Sequence, residues 1–122
     1  MKKNKNQTIS VPKETEETIE ILSNASLTKP ETDVGFRIYI NGKKVSDCEK
    51  NVRFNYRLKL YIKDSKVLKI NFTHGLKKRC IDENTSDDVK EKLHDFLNLL
   101  ENKANLEKQD KEHLNFYLNT LR

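Results

Sequence analysis

Between residues 52 and 63, twelve consecutive positions alternate without a fault, Val52, Phe54, Tyr56, Leu58, Leu60 and Ile62 against Arg53, Asn55, Arg57, Lys59, Tyr61 and Lys63. Side chains of a strand point alternately to its two faces, so a period of two over this length dictates a strand that is apolar on one side and wet on the other. A helix would scatter the same apolar residues around its whole circumference. Such a strand needs partners at its edges and a cover over its apolar face, which points to an antiparallel sheet backed by other elements.

The flanking sequence supplies both. Val34, Phe36, Ile38 and Ile40 alternate with Gly35, Arg37, Tyr39 and Asn41, and Asn41-Gly42 is the preferred centre of a type I′ hairpin returning into a short strand over 43–45. With that two-residue loop, position 40 faces 43 and 38 faces 45, which keeps Val45 on the side of Ile38. Residues 46–51 read as a polar connection. Beyond the long strand, Val67 to Thr73 presents Leu68, Ile70 and Phe72. A three-residue loop, Asp64-Ser65-Lys66, pairs Ile62 with Leu68 and Leu60 with Ile70, whereas a two-residue loop sets Leu60 against Lys69, so the longer loop is expected. His74 to Cys80, with Gly75 and three cations, reads as a basic exit loop.

Three helices are predicted around this sheet. Pro12 suits a first helical position, Glu14, Glu16 and Glu17 follow it near the positive end of the dipole, and Ile19, Ile21 and Leu22 come next, which predicts a short helix over 12–23. Thr85 or Ser86 before Asp87 and Asp88 is a helix start, and Val89, Leu93, Phe96, Leu97 and Leu100 form a broad stripe over 86–102. Leu106, Leu114, Tyr117, Leu118 and Leu121 predict a last helix over 105–121 whose C-terminal half packs. The expected organisation is a flexible arm over 1–11 and a single α+β domain over 12–122. Its sheet, within 34–73, has three antiparallel strands with room for a fourth short one, and the two C-terminal helices cover one face. A chain of 122 residues holds one core of this kind.

Charge is where the sequence becomes specific. The net charge is +5, but residues 1–33 carry 5 basic and 6 acidic side chains, 34–81 carry 13 and 3, and 82–122 carry 6 and 10. The positive charge is therefore concentrated on the sheet. Its uncovered face is expected to display Arg37, Tyr39, Arg53, Asn55, Arg57, Lys59, Tyr61, Lys63, Lys69 and Asn71: six cations, two tyrosines and no carboxylate. Outward positions of a half-buried sheet are polar in any case, and Lys and Arg at edges discourage aggregation, but a face set only by those needs would mix its signs. Cations interleaved with aromatics fit a phosphate backbone with bases that can stack, or an acidic protein surface. Lys77, Lys78 and Arg79 form a second, smaller cluster.

Other chemistries lack their residues. His74, His94 and His113 fall in a loop and two different helices, and no Cys or His pair has zinc-ligand spacing, so no metal or cofactor is expected. Cys80 has Arg79 beside it but no His or Asn that would make a nucleophile of it, and none of the three glycines builds a phosphate-cradling loop. An enzyme is not expected. No apolar run approaches bilayer length, no hydrophobic leader follows Met1, and Cys48 and Cys80 read as reduced thiols, so a cytoplasmic protein that engages no membrane is expected.

The predicted order helix, three antiparallel strands, helix resembles a double-stranded-RNA-binding domain in outline. The resemblance stops at that family's lysine-rich helix start, because Gly75-Leu76-Lys77-Lys78-Arg79-Cys80 is separated from the helix by Ile81 to Thr85. In size, in its Lys- and Asn-rich composition, in the helix–sheet–two-helix order and in having no motifs, the whole chain is similar to the small inhibitors carried by phages and plasmids, anti-CRISPR proteins among them. That resemblance implies a non-enzymatic protein in a bacterial host. Its basic, tyrosine-containing face would block an acidic or nucleic-acid-binding protein, for instance an RNA-guided nuclease. The alternative is direct binding of DNA or RNA by the same face.

Overall fold

In the computed structural model, residues 16–25, 34–47 and 54–122 are described. The expected arm over 1–11, Cys48 and Arg53 lie outside them. Six strands, β1 (Glu16–Ser23), β2 (Phe36–Ile40), β3 (Lys43–Ser46), β4 (Tyr56–Lys63), β5 (Lys66–His74) and β6 (Lys77–Cys80), form one antiparallel sheet in the order β3-β2-β1-β4-β5-β6. Helices α1 (Asp87–Lys103) and α2 (Lys108–Leu118) follow, with a 3-10 turn over Asn119–Leu121. The fold is α+β, but its sheet has six strands where three or four were expected.

The largest correction is β1. Residues 16–23 of the expected helix 12–23 are a strand, and they lie in the middle of the sheet rather than beside it. The reason is in Thr18-Ile19-Glu20-Ile21. Ile19 and Ile21 are two apart, β-branched, and fully buried, while Glu20 between them points to the opposite face. As a helix this segment would bury only a thin stripe. As a strand it fills ladders on both sides, Ile21 lying opposite Ile38 of β2 and Leu58 of β4. Of the glutamates that read as a helix start, Glu16 lies opposite Lys63 of β4 and Glu17 opposite Ile62, while Glu20 further along lies opposite Lys59.

The second correction is β6. Lys77 to Cys80, expected in an exit loop, pairs with β5 through a turn at Gly75-Leu76, where Gly75 takes a φ of 63°. All four residues are exposed, so the strand carries no apolar signal and exists by closing the ladder of β5. The third is the β4–β5 turn. It has two residues, Asp64 and Ser65, both at positive φ, with Lys63 opposite Lys66 and Ile62 opposite Val67. A bulge then absorbs one residue and restores the expected pairing of Leu60 with Ile70. Leu68 is the residue displaced, and it is 64% exposed instead of facing the core. A similar bulge in the β2–β3 hairpin, after the expected Asn41-Gly42 turn, sets Ser46 rather than Val45 opposite Ile38.

The core forms between the apolar sheet face and the two helices. Ile19, Ile21, Phe36, Ile38, Tyr56, Leu58, Leu60, Ile62 and Phe72 pack with Val89, Leu93, Phe96, Leu97 and Leu100 of α1 and Leu114, Tyr117 and Leu118 of α2. Phe96 is its centre, with its ring 5.6 to 6.1 Å from those of Phe72, Tyr56 and Phe36. Phe54, expected in the core, is only half-buried and lies outside it, with the Arg37 guanidinium 4.8 Å from its ring centre. Helix α1 begins as its sequence implies, the Ser86 side chain accepting from Val89 N at 3.4 Å.

A polar pin fixes the less apolar helix. The Glu17 carboxylate of β1 accepts from the Tyr117 hydroxyl at 2.8 Å, lies 3.0 Å from His113 Nε2, and accepts from Asn41 Nδ2 at 3.4 Å. Tyr117 is also hydrogen-bonded to the Ser65 side chain, so one cluster joins α2, the centre of the sheet and two hairpin turns. Burial pushes the Glu17 carboxyl up, but the hydrogen bonds from Tyr117, Asn41 and His113 together outweigh it and hold the group below its ordinary 4.5. Its stabilising contribution is therefore fully present above about pH 4.5 and is lost as the pH falls through the lowered value. Replacing Glu17 with Ala should lower unfolding free energy at pH 7 by about 2 kcal/mol, since a buried hydroxyl loses a charged acceptor. In urea titrations across pH 3 to 7, Glu17→Gln should show a flatter acid limb than the parent, and identical limbs would show that Glu17 does not carry this linkage.

Candidate functional site

Register decides what the uncovered face displays. Positions paired across the ladders share a face, so it carries Lys44 of β3, Arg37 and Tyr39 of β2, Glu16, Thr18, Glu20 and Leu22 of β1, Arg57, Lys59, Tyr61 and Lys63 of β4, Lys69, Asn71 and Thr73 of β5, and Lys78 and Cys80 of β6. The face without carboxylates expected from the sequence is not the one that forms. β1 brings Glu16 and Glu20 into its middle, and Glu20 makes an ion pair with Arg57.

The cations accordingly divide into two groups. On the β2–β3 side, Asp47 binds Arg37 Nε at 2.8 Å and Lys44 Nζ at 2.9 Å, and these two hydrogen bonds hold the Asp47 carboxyl below the usual carboxylate range. One carboxylate thus offsets part of the charge of two cations on that side. On the β4–β5–β6 side, Lys59, Lys69 and Lys78 make no ion pair with a carboxylate among the described residues, although Glu20 lies across the ladder from Lys59, and Arg57 at the border is paired with Glu20. Tyr61 lies among them, its ring centre 5.1 Å from Lys59 Nζ and 5.6 Å from Lys69 Nζ. These contacts use the ring to hold two ammonium groups in place rather than leaving it bare for a base to stack on.

The remaining expected residues fall around this half-face. Lys63 lies at the turn end of β4 and has contacts of its own. Lys77 and Arg79 alternate with Lys78, so Lys77 is opposite His74 and Arg79 opposite Phe72, toward the helix side of the sheet. There they line a cavity of about 410 Å³ with Leu76, Val89 and Lys92. Tyr39 is on the outer face but two strands away from Tyr61. Asn55 precedes β4 and its Nδ2 donates to the carbonyls of Asn24 and Ala25 at 3.4 and 3.5 Å, so it works as a clasp between β1 and β4.

Sequence reasoning missed Thr73 as a lining residue and gave Lys78 its place only by cluster. Both lie in a shallow hollow of about 80 Å³ on the outer face with Arg57, Lys59, Tyr61 and Asn71. The signal for it was available only through β6, whose pairing brings Lys78 opposite Thr73. Cys80 is a free, exposed thiol opposite Asn71. Among the described residues no three His, Cys, Asp or Glu side chains gather as metal ligands would, and no helix is long and apolar enough to cross a membrane.

Comparison with protein-family models, with curated proteins and with solved structures yields no match. The Arg57–Glu20 pair is half-exposed on the arginine side, so it contributes under about 1 kcal/mol to stability while masking a cation. Glu20→Gln should therefore leave the urea midpoint nearly unchanged and move elution from immobilised heparin to higher salt; unchanged or earlier elution would mean that the masking is not what limits this face.

Proposed function

We propose that this chain is a non-enzymatic binding protein whose β4–β5–β6 half-face engages the phosphate backbone of DNA or RNA. The observation that carries the reading is the placement of Lys59 and Lys69 against the Tyr61 ring, with Lys78 lining the same hollow as Tyr61, and none of the three in an ion pair with a carboxylate among the described residues. Three or four fixed cations on a sheet surface match regularly spaced phosphates. A tyrosine already covered by two lysines favours backbone contact over base stacking, and so favours recognition by shape and charge rather than by sequence.

A second reading has an observation of its own. Leu68 is 64% exposed beside the half-face and Leu76 is fully exposed at the turn into β6. Apolar side chains flanking a basic strip suit an acidic protein surface with greasy anchor points better than they suit a duplex. In that reading the chain is an inhibitor of a nucleic-acid-handling complex, of the kind that mobile elements carry against RNA-guided nucleases.

Salt dependence separates the two. With Arg57, Lys59, Lys69 and Lys78 as about four phosphate contacts, log Kobs for a 20-base-pair duplex should fall against log salt with a slope near −3.6. Lys69→Glu with Lys78→Glu should abolish the mobility shift while leaving the circular dichroism melt in place. Absence of any shift at 20 mM salt would reject direct nucleic-acid binding, and capture of a purified nuclease complex that survives Leu68→Asp with Leu76→Asp would reject the inhibitor reading.

A further inference from the structure

Asn71 stands near the middle of β5, on the outer face, between Lys59 of β4 and Cys80 of β6 in the ladder. It is 94% buried, with a relative exposure of 6%, and its side-chain amide has no hydrogen-bond partner among the described residues. A buried amide without a partner costs about 1 to 3 kcal/mol, so its retention in a strand that could hold Thr or Val needs a reason. The amide lines the hollow of about 80 Å³ that Arg57, Lys59, Tyr61, Thr73 and Lys78 complete. That volume is well below the several hundred Å³ of a cofactor or drug-sized site, yet it exceeds what one water needs. The other polar groups around it are three cations and two hydroxyls, with no carboxylate. A donor amide at the floor and ammonium and guanidinium groups at the rim form the environment of a tetrahedral oxyanion.

We propose that this hollow is a seat for a single phosphate group, in which Asn71 Nδ2 and the Thr73 hydroxyl donate to phosphoryl oxygens while Lys59, Lys78 and Arg57 balance the charge. The proposal rests on the nucleic-acid reading for its natural ligand, a backbone phosphodiester, and free inorganic phosphate shares the chemistry. It adds to that reading a fixed register, because one phosphate is held by a buried amide as well as by charge and the others by charge alone.

The test is a nitrogen-15 HSQC titration of the wild-type protein with sodium phosphate against sodium chloride at equal ionic strength, then with a 20-base-pair duplex, following the Asn71 side-chain amide. Phosphate should move the Asn71 resonances where chloride does not, and the duplex should move the same pair. Asn71→Ala, which keeps every cation, should weaken phosphate binding about tenfold while leaving the salt slope for the duplex unchanged. If phosphate leaves the amide unmoved and Asn71→Ala binds the duplex as tightly as the parent, the seat is overturned and the backbone-binding reading stands. If phosphate moves the amide but no duplex binds at 20 mM salt, the seat stands and serves free phosphate, and the nucleic-acid reading falls. Should Asn71→Ala fail to fold, the wild-type titration decides alone.

Discussion

The placement of β1 between β2 and β4 is the constraint on which the rest of the molecule depends. Without it the two hairpins, β2–β3 and β4–β5, would each present an open edge, and neither could bury its apolar face as part of a continuous sheet. With it, Ile19 and Ile21 join the rows Ile40–Ile19–Leu60 and Ile38–Ile21–Leu58 that run across three strands and form the floor of the core shared with the two helices. Its own edges are closed by loop residues as well as by ladders. Asn41 donates its backbone N–H to the Thr18 carbonyl at 2.8 Å and accepts from Thr18 N through its side chain at 3.0 Å, so the turn that ends β2 also registers β1.

The same strand settles the electrostatics on both sides of the sheet. Its outward Glu20 pairs with Arg57 and divides the basic face, and its inward Glu17 holds α2. That second role matters because α2 brings only Leu114, Tyr117 and Leu118 into the core, against five buried residues from α1. A helix with so small an apolar contribution is oriented largely by its polar contact, and the two contacts from α2 to one carboxylate, Tyr117 and His113, fix its rotation as a single hydrophobic contact would not. Tyr117, raised in pKa by burial and by the neighbouring Glu17, stays a donor throughout the neutral range, so the pin holds wherever Glu17 is ionised.

What could be read from the sequence was whatever rests on local period and turn chemistry. The alternation of Tyr56 to Lys63, the Asn41-Gly42 turn and the Ser86 cap all depend on neighbours within a few positions, and each is where the pattern puts it. β1 was misread because the acidic residues around Glu16 and Glu17 satisfy a helix start and a strand between two basic strands equally well; only the distant lysines decide, and they are not local. β6 was missed because an edge strand exposed on both faces has no apolar pattern to give. The β4–β5 turn went wrong for a different reason. Register arithmetic without a bulge required the three-residue loop, but the chain kept the two-residue turn, whose twist suits a hairpin, and took up the difference in a bulge at Leu68. The face followed from these errors: the alternation of β4 and β5 put Arg57, Lys59, Tyr61, Lys63, Lys69 and Asn71 on one face, but it left out Thr73, and it left out the carboxylates that β1 contributes.

Those corrections sharpen the functional argument. Lysines on the edge strands β3 and β6 have a sufficient explanation, since charge there prevents sheets from joining edge to edge. Lys59 is also partly explained, because Glu20 lies opposite it. Lys69 lies where β5 has no neighbour among the described residues on its outer side, since the β5–β6 ladder spans Asn71 to His74, so edge protection bears on it too, although no carboxylate lies across the β4 ladder from it. Asn71, two positions along the same strand, is the residue that neither edge protection nor packing explains, being buried and polar with no side-chain partner among the described residues. A strand that carries a buried amide and a cation without a counter-charge, side by side on its solvent face, is arranged for something that arrives from outside. The sign of that something is set by Lys59, Lys69 and Lys78 together.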